Sequence, residues 1–235
     1  MTHYQFFEFL QKWRKFNKKP PASGWPSKIE LGRDFWEGAI RLYKYTGSNN
    51  HEYETSFFFV DGEIISTPPF KGEESRVTAS HSINVKFIPK DKYYYEKQII
   101  ADGKILKRKS VRVNKIPKKI ELGFLFNMHS HPVHYLEQNG QRLKTYSFFS
   151  DVDINSLLRS NYLITALVTD ELWLACKTDK VISSVGEVGS SMLQRISNRA
   201  YNGDKYLEDV ITKEMKDWGL VFYRAKFNYP FRRVM

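Results

Sequence analysis

Cysteine is almost absent: Cys176 is the only one in 235 residues. That excludes an intramolecular disulfide framework and any zinc knuckle built on cysteine pairs. Long apolar runs are missing too, since none approaches the roughly 20 residues that cross a bilayer. The opening MTHYQFFEFLQKWRKF alternates apolar and charged residues and has no signal-peptide core. The expectation is a soluble protein of a reducing compartment, the cytoplasm, with no membrane partner. No Walker or dinucleotide glycine loop occurs, and no HExxH, because His51-Glu52 lacks its second histidine. Repeats and low-complexity tracts are likewise absent.

What is present in excess is positive charge. Lysine and arginine number 37 against 26 acidic residues, a net +11, and the hydrophobic fraction of 41% argues against wholesale disorder. Such a balance brings nucleic acid, an anionic surface or an acidic protein forward as partners. The excess is local. Residues 86–119 carry +9 and residues 1–33 carry +5, whereas 34–85 carry −4 and 120–235 only +1.

Periodicity divides the chain into an N-terminal helix with a linker (1–33) and one larger domain (34–235). Phe6, Phe7, Leu10, Trp13 and Phe16 fall near helical spacing, so residues 4–16 form an amphipathic helix that KKPPASGWP then breaks. A second helix starts at Asp34 and ends at TGSNN. From Tyr53 the texture is β: TSFFFVDGEIIST reads as a hairpin turning at Asp61-Gly62, and Asp102-Gly103 marks another within 93–113. IELGFLFNM (120–128) is a continuously apolar, central strand. A helix opens near Ser150, a hairpin turns at Thr169-Asp170-Glu171, residues 187–217 are largely helical, and GLVFY (219–223) closes the sheet. The fold class is α+β, with a mixed, mostly antiparallel sheet flanked by helices. Cys176, mid-strand among apolar neighbours, belongs to the core.

The chemistry gathers in two short segments, Met128-His129-Ser130-His131-Pro132 and Phe149-Ser150-Asp151-Val152-Asp153. Histidines two apart at a strand end put both rings on one face, where they suit a divalent metal such as zinc. Asp153 can add a carboxylate ligand from a first helical turn, and Ser150 a hydroxyl from the same turn. Taken singly, an HxH is more often not a metal site, and Ser-x-x-Asp at a helix start is usually a cap.

In this order, these residues resemble the JAMM (MPN+) metalloprotease family, whose signature is H-x-H-P, a spacer, then S-x-x-D, with a glutamate upstream. His129, Ser130, His131 and Pro132 match its first half, and Ser150 and Asp153 its second. The resemblance spans about residues 34–223 and implies a fold like that of cytidine deaminases. It implies one zinc per chain on His129, His131 and Asp153, with Ser150 holding a tetrahedral oxyanion. The upstream glutamate would act as general acid/base on the attacking water. Glu54 matches best because it leads directly into the apolar strand; Glu52, two residues earlier on the same face, is the alternative, and Glu63 lies beyond the turn. Residues 133–149, longer than the family's commonest spacer, read as an inserted loop beside the metal. The implied activity is cleavage of an isopeptide or peptide bond at the C-terminus of ubiquitin or a ubiquitin-like protein.

Two other functions compete. One is an inactive MPN-type scaffold, although such relatives usually lose motif residues that this chain keeps. The other is a nucleic-acid binder using the basic 86–119 region, where Tyr93, Tyr94 and Tyr95 would stack bases. A solvated lysine-rich hairpin, or docking of an acidic protein, accounts for the same residues.

Overall fold

Helix caps and turn residues account for most element boundaries. In the computed structural model, which describes residues 1–72, 82–138, 140–145, 147–197, 199–200 and 204–234, Thr2 and Gln5 cap each other reciprocally and start helix α1 (His3–Lys15). Phe6, Phe7 and Leu10 are buried along it. Arg14 donates its guanidinium to the carbonyls of Phe124 and Leu125, so the helix is anchored to the main sheet. After strand β1 (Lys28–Ile29) comes helix α2 (Arg33–Asn49). The TGSNN stretch, expected to end this helix, is helical as far as Asn49. Ser48 and Asn49 donate back to the carbonyls of Lys44 and Tyr45, and Asn50 closes the helix at φ 52°.

Strands β2 (Tyr53–Val60) and β3 (Glu63–Ser66) form the expected hairpin. Asp61 and Gly62 both take positive φ, 46° and 83°, as a tight hairpin turn requires. Strand β4 (Phe70–Lys71) pairs with the first residues of β2. Strands β5 (Ile83–Pro89), β6 (Tyr94–Ala101) and β7 (Lys104–Arg112) build a separate three-stranded antiparallel sheet with Asp102-Gly103 at its second turn. Strand β8 (Leu122–Ser130) returns through the middle of the molecule.

Residues 133–149, read as an inserted loop, contain instead the hairpin β9 (His134–Gln138) and β10 (Gln141–Thr145). Asn139 and Tyr146 of that segment lie outside the described residues. Helix α3 (Asp151–Arg159) follows, then the predicted hairpin β11 (Ile164–Val168) and β12 (Leu172–Lys177). Helix α4 (Gly186–Ser197), the short β13 (Arg199–Ala200), which pairs with β10, and helix α5 (Asp204–Glu214) lead to β14 (Leu220–Ala225) and β15 (Phe231–Arg233).

The large sheet runs β1-β15-β14-β12-β11-β8-β2-β3, with β4 also on β2. Its described pairs are antiparallel except β8 with β11, which run parallel. Both faces are buried, which is why its central strands read as continuous apolar runs. Ala166, Val168, Leu174, Cys176 and Tyr223 pack with α1 and α2. The alternate residues Leu167, Trp173, Ala175 and Phe222 pack with α3, α4 and α5. α2 lies close against the sheet at Gly38, where a Cβ would come within 2.6 Å of Ser66 and 2.9 Å of Phe57. The β5–β7 sheet rests on the far end of β2 and β3 through Ile99, Phe58, Val60 and Ile65. No described helix is long and apolar enough to cross a membrane.

Candidate metal centre

Strand register brings the first two parts of the site together. β2 and β8 are antiparallel with Glu54 directly opposite His129. Beyond His129 the strand continues one residue, and the His131 amide still donates to Val168 O at 3.1 Å, which ties the end of β8 to β11. Pro132, lacking an N–H, then takes the chain out of the sheet.

Ser130 lies between the two histidines and faces the other way. It is fully buried. Its hydroxyl accepts from Thr46 Oγ1 of α2 and from Tyr53 N at 3.0 Å, and lies 3.2 Å from Tyr53 O. One side chain thus fastens the histidine strand to the start of β2 and to α2. Thr46 and Tyr53 were not singled out from the sequence. The available signal was the alternation itself, because a hydroxyl on the buried face of a strand needs partners.

The third part comes from α3. Ser150 is its N-cap: Ser150 N and Oγ both donate to Asp153 Oδ2, at 2.7 and 2.8 Å, and Asp153 N donates to Ser150 Oγ. The bland and the functional readings of Ser-x-x-Asp therefore hold together. The cap fixes the carboxylate, with Oδ1 toward His129 and Oδ2 shared between the cap and His131.

His129 Nε2 stands 3.2 Å from Asp153 Oδ1, and His131 Nε2 stands 3.3 Å from Oδ2. One ligand atom from each of the three residues fits within 4.8 Å of the others. Ligands about 2.0–2.1 Å from a tetrahedral zinc stand about 3.3 Å from one another, so the spacing suits that ion. Buried polar atoms point the same way: His129 Nε2, although 3.2 Å from Oδ1, is among those without a hydrogen-bond partner. Among the described residues four buried side-chain polar atoms lack such a partner, and three of them are Glu54 Oε1, His129 Nε2 and His131 Nδ1. Buried polar atoms are seldom left unpaired, and a cluster of them marks a place for an ion or ligand.

Glu54 is 6% exposed. Burial pushes its carboxyl up to about 7, with His129 pulling weakly the other way. Burial opposes charge on His129 as well, but the adjacent Asp153 outweighs it and holds the imidazole at about 9. Asp153, despite its burial, is held well below the usual carboxylate range by His129 and His131. Glu52 also borders the site, 3.6 Å from His131 Nε2, but its side chain is 40% exposed. The dry carboxylate opposite His129 is Glu54. Phe149 lies 6.1 Å from the His129 ring and is itself buried, so one wall of the site is apolar. Cys176 sits in the core as expected, and burial pushes its thiol well up, away from nucleophilic use.

The donor set of two imidazoles and one carboxylate oxygen suits a borderline-soft divalent ion with a coordination position left open. No protein-family model, curated protein or solved structure matches the chain.

Proposed function

We propose that the chain is a zinc-dependent hydrolase of the JAMM type, built on an MPN-like, cytidine-deaminase-like sheet. The substrate class proposed is an isopeptide or peptide bond at the C-terminus of ubiquitin or a ubiquitin-like protein. The observation that carries this reading is the convergence of His129, His131 and Asp153 beside a buried, unpaired glutamate. Supporting it, the residues that resemble the family's motif fall close together, and Glu54 pairs across the strands with His129.

When bound, zinc supplies Lewis acidity, making water nucleophilic near neutral pH and polarising a carbonyl. Glu54 takes the proton from the attacking water and delivers it to the departing amine. A carboxyl at about 7 suits both transfers, since neither protonation state is strongly favoured at neutral pH. Ser150 redirects its hydroxyl from Asp153 Oδ2 to the developing oxyanion, while its backbone N–H keeps the carboxylate in place. The buried Phe149 limits water around the charges and so strengthens their interactions.

The test joins metal analysis to turnover. Protein purified without added zinc is assayed for metal content and for cleavage of a ubiquitin-like fusion, wild type against Glu54→Gln. Zinc in both proteins, with cleavage only in the wild type, is the expected result. A protein without zinc, or a Glu54→Gln variant that cleaves as fast as the wild type, would overturn the assignment.

A further inference from the structure

The opposite end of β2 carries a second concave feature. A cleft of about 590 Å³ opens between the β5–β7 sheet and the β2–β3 turn, within the roughly 300–1,000 Å³ of typical ligand clefts. Its floor is a cross-strand row, Phe87 on β5 beside Lys97 on β6 beside Lys109 on β7. It lies about 20 Å from the metal centre, since Glu54 and Asp61 are seven residues apart along an extended strand.

The charges lining it are unevenly matched. Asp61 is neutralised by Lys97 at 2.8 Å, and Glu63 by Lys107 at 2.7 Å with Lys109 at 3.6 Å. Arg112, Lys115 and Lys119 also line the cleft, all three are exposed, and no ion pair to them occurs among the described contacts. Arg112 instead donates to Tyr94 Oη and lies over its ring. Glu121 is the remaining carboxylate, so the rim keeps a surplus of positive charge above an apolar patch of Phe87, Val111 and Pro117.

Backbone geometry selects among anionic ligands. Lys109, Ser110, Val111 and Arg112 all line the cleft, although neighbouring side chains on a strand point to opposite faces. The cavity therefore reaches around the edge of β7, which pairs only with β6 among the described residues. That edge presents main-chain donors and acceptors at strand spacing, which an extended peptide matches and a phosphodiester chain does not. A polyphosphate would also meet Asp61, Glu63 and Glu121, whereas a peptide can alternate acidic and apolar side chains to suit both parts of the lining.

We propose that this cleft is a docking site for an extended, acidic protein segment. The segment adds as a strand to β7, places carboxylates by Arg112, Lys115 and Lys119, and sets an apolar side chain on Val111. The site needs neither the metal nor hydrolysis.

Fluorescence anisotropy tests it with a labelled (Glu-Ile)4 peptide, a (Lys-Ile)4 control and an octathymidylate DNA. The acidic peptide binds and the lysine peptide does not. The triple variant Arg112→Gln, Lys115→Gln, Lys119→Gln weakens the acidic peptide at least tenfold while thermal midpoint and zinc content stay at wild-type values. N-methylation of alternate peptide amides weakens it at least fivefold, which charge attraction alone would not produce. Tighter binding of the DNA than of the acidic peptide, or an unchanged peptide affinity in the triple variant, overturns the proposal.

Discussion

The two ends of β2 place carboxylates in opposite circumstances. At one end Glu54 is buried and its Oε1 has no hydrogen-bond partner. At the other, Asp61 is bonded to Lys97 at 2.8 Å and accepts from Glu121 N at 2.8 Å. Seven positions apart, the strand and the turn that follows it thus carry an unsatisfied acid toward α3 and a satisfied one toward the β5–β7 sheet. Desolvation without a partner raises a carboxyl's proton affinity, which chemistry can use. Partnership spends the charge on structure. The candidate metal ligands thus lie at the opposite end of β2 from the lysine-rich β5–β7 sheet.

The largest difference between the ends lies in activity. Glu54→Gln should lower the turnover of a ubiquitin-like fusion by about 10²–10⁴-fold, whereas Asp61→Asn should leave turnover within about twofold, since Asp61 is about 20 Å away. Equal losses in steady-state assays of the two variants would erase the distinction.

Next comes pH. The folded protein keeps the Glu54 proton up to about 7, while an unfolded chain releases it near the ordinary glutamate value of 4.5. The folded state therefore binds more protons across that window, and the metal-free protein loses stability as pH rises through it. The loss is at most about 3 kcal/mol. His129 works in the adjacent window: its folded value of about 9 lies above the usual 6.5, so its contribution is full below 6.5 and fades as pH climbs toward 9. Denaturant titrations of metal-free wild type and Glu54→Gln at pH 5 and pH 8 isolate the first effect. The variant should gain on the wild type between those points, and parallel curves would contradict the assigned burial.

Smaller, but specific to the metal end, is the hydroxyl between the histidines. Ser130→Ala takes the acceptor from the buried Tyr53 N, while Thr46 keeps its bond to Leu42 O, and should cost about 1–3 kcal/mol. It should also weaken zinc retention by about 10–100-fold, as removal of groups that orient ligands usually does. Competition with a chelator measures the second figure, and unchanged retention would show that the clamp serves stability alone.

The smallest effect belongs to the basic end. Lys107→Gln breaks a partly exposed pair with Glu63 and should cost less than about 1 kcal/mol, diminishing further in salt. A thermal scan at two ionic strengths checks this.

Much of the site was legible in the chain. The histidine pair, Ser150 and Asp153 were identifiable because strand alternation and helix capping are local rules that depend on near neighbours, whereas Glu54, with Glu52 as its alternative, was implied only by the resemblance to the JAMM family. The hairpin turns at Asp61-Gly62 and Asp102-Gly103 were legible for the same reason. Other features were not. The β9–β10 hairpin read as a loop because its residues are polar and its third strand, β13, lies about fifty residues away. Helix α2 does end within TGSNN, at Asn49, but runs through Thr46–Ser48 because side-chain-to-carbonyl bonds support weak formers there. The Arg14 contacts with Phe124 and Leu125 join residues more than a hundred apart, beyond any local pattern.

By itself, then, the sequence determined which residue types stand at which spacing: two imidazoles on one strand face, a carboxylate in a first helical turn and acids at both ends of an apolar strand. Only the tertiary structure decided which acid is dry. Glu52, Glu54 and Asp61 are chemically similar in the chain, and what separates them is packing. β2 pairs with β8 so that Glu54 meets His129, α2 is held to the same junction through Thr46 and Ser130, and the β5–β7 sheet brings Lys97 to Asp61. Proton affinity depends on how much water and opposite charge surround a group, and that surrounding is assembled from distant parts of the chain.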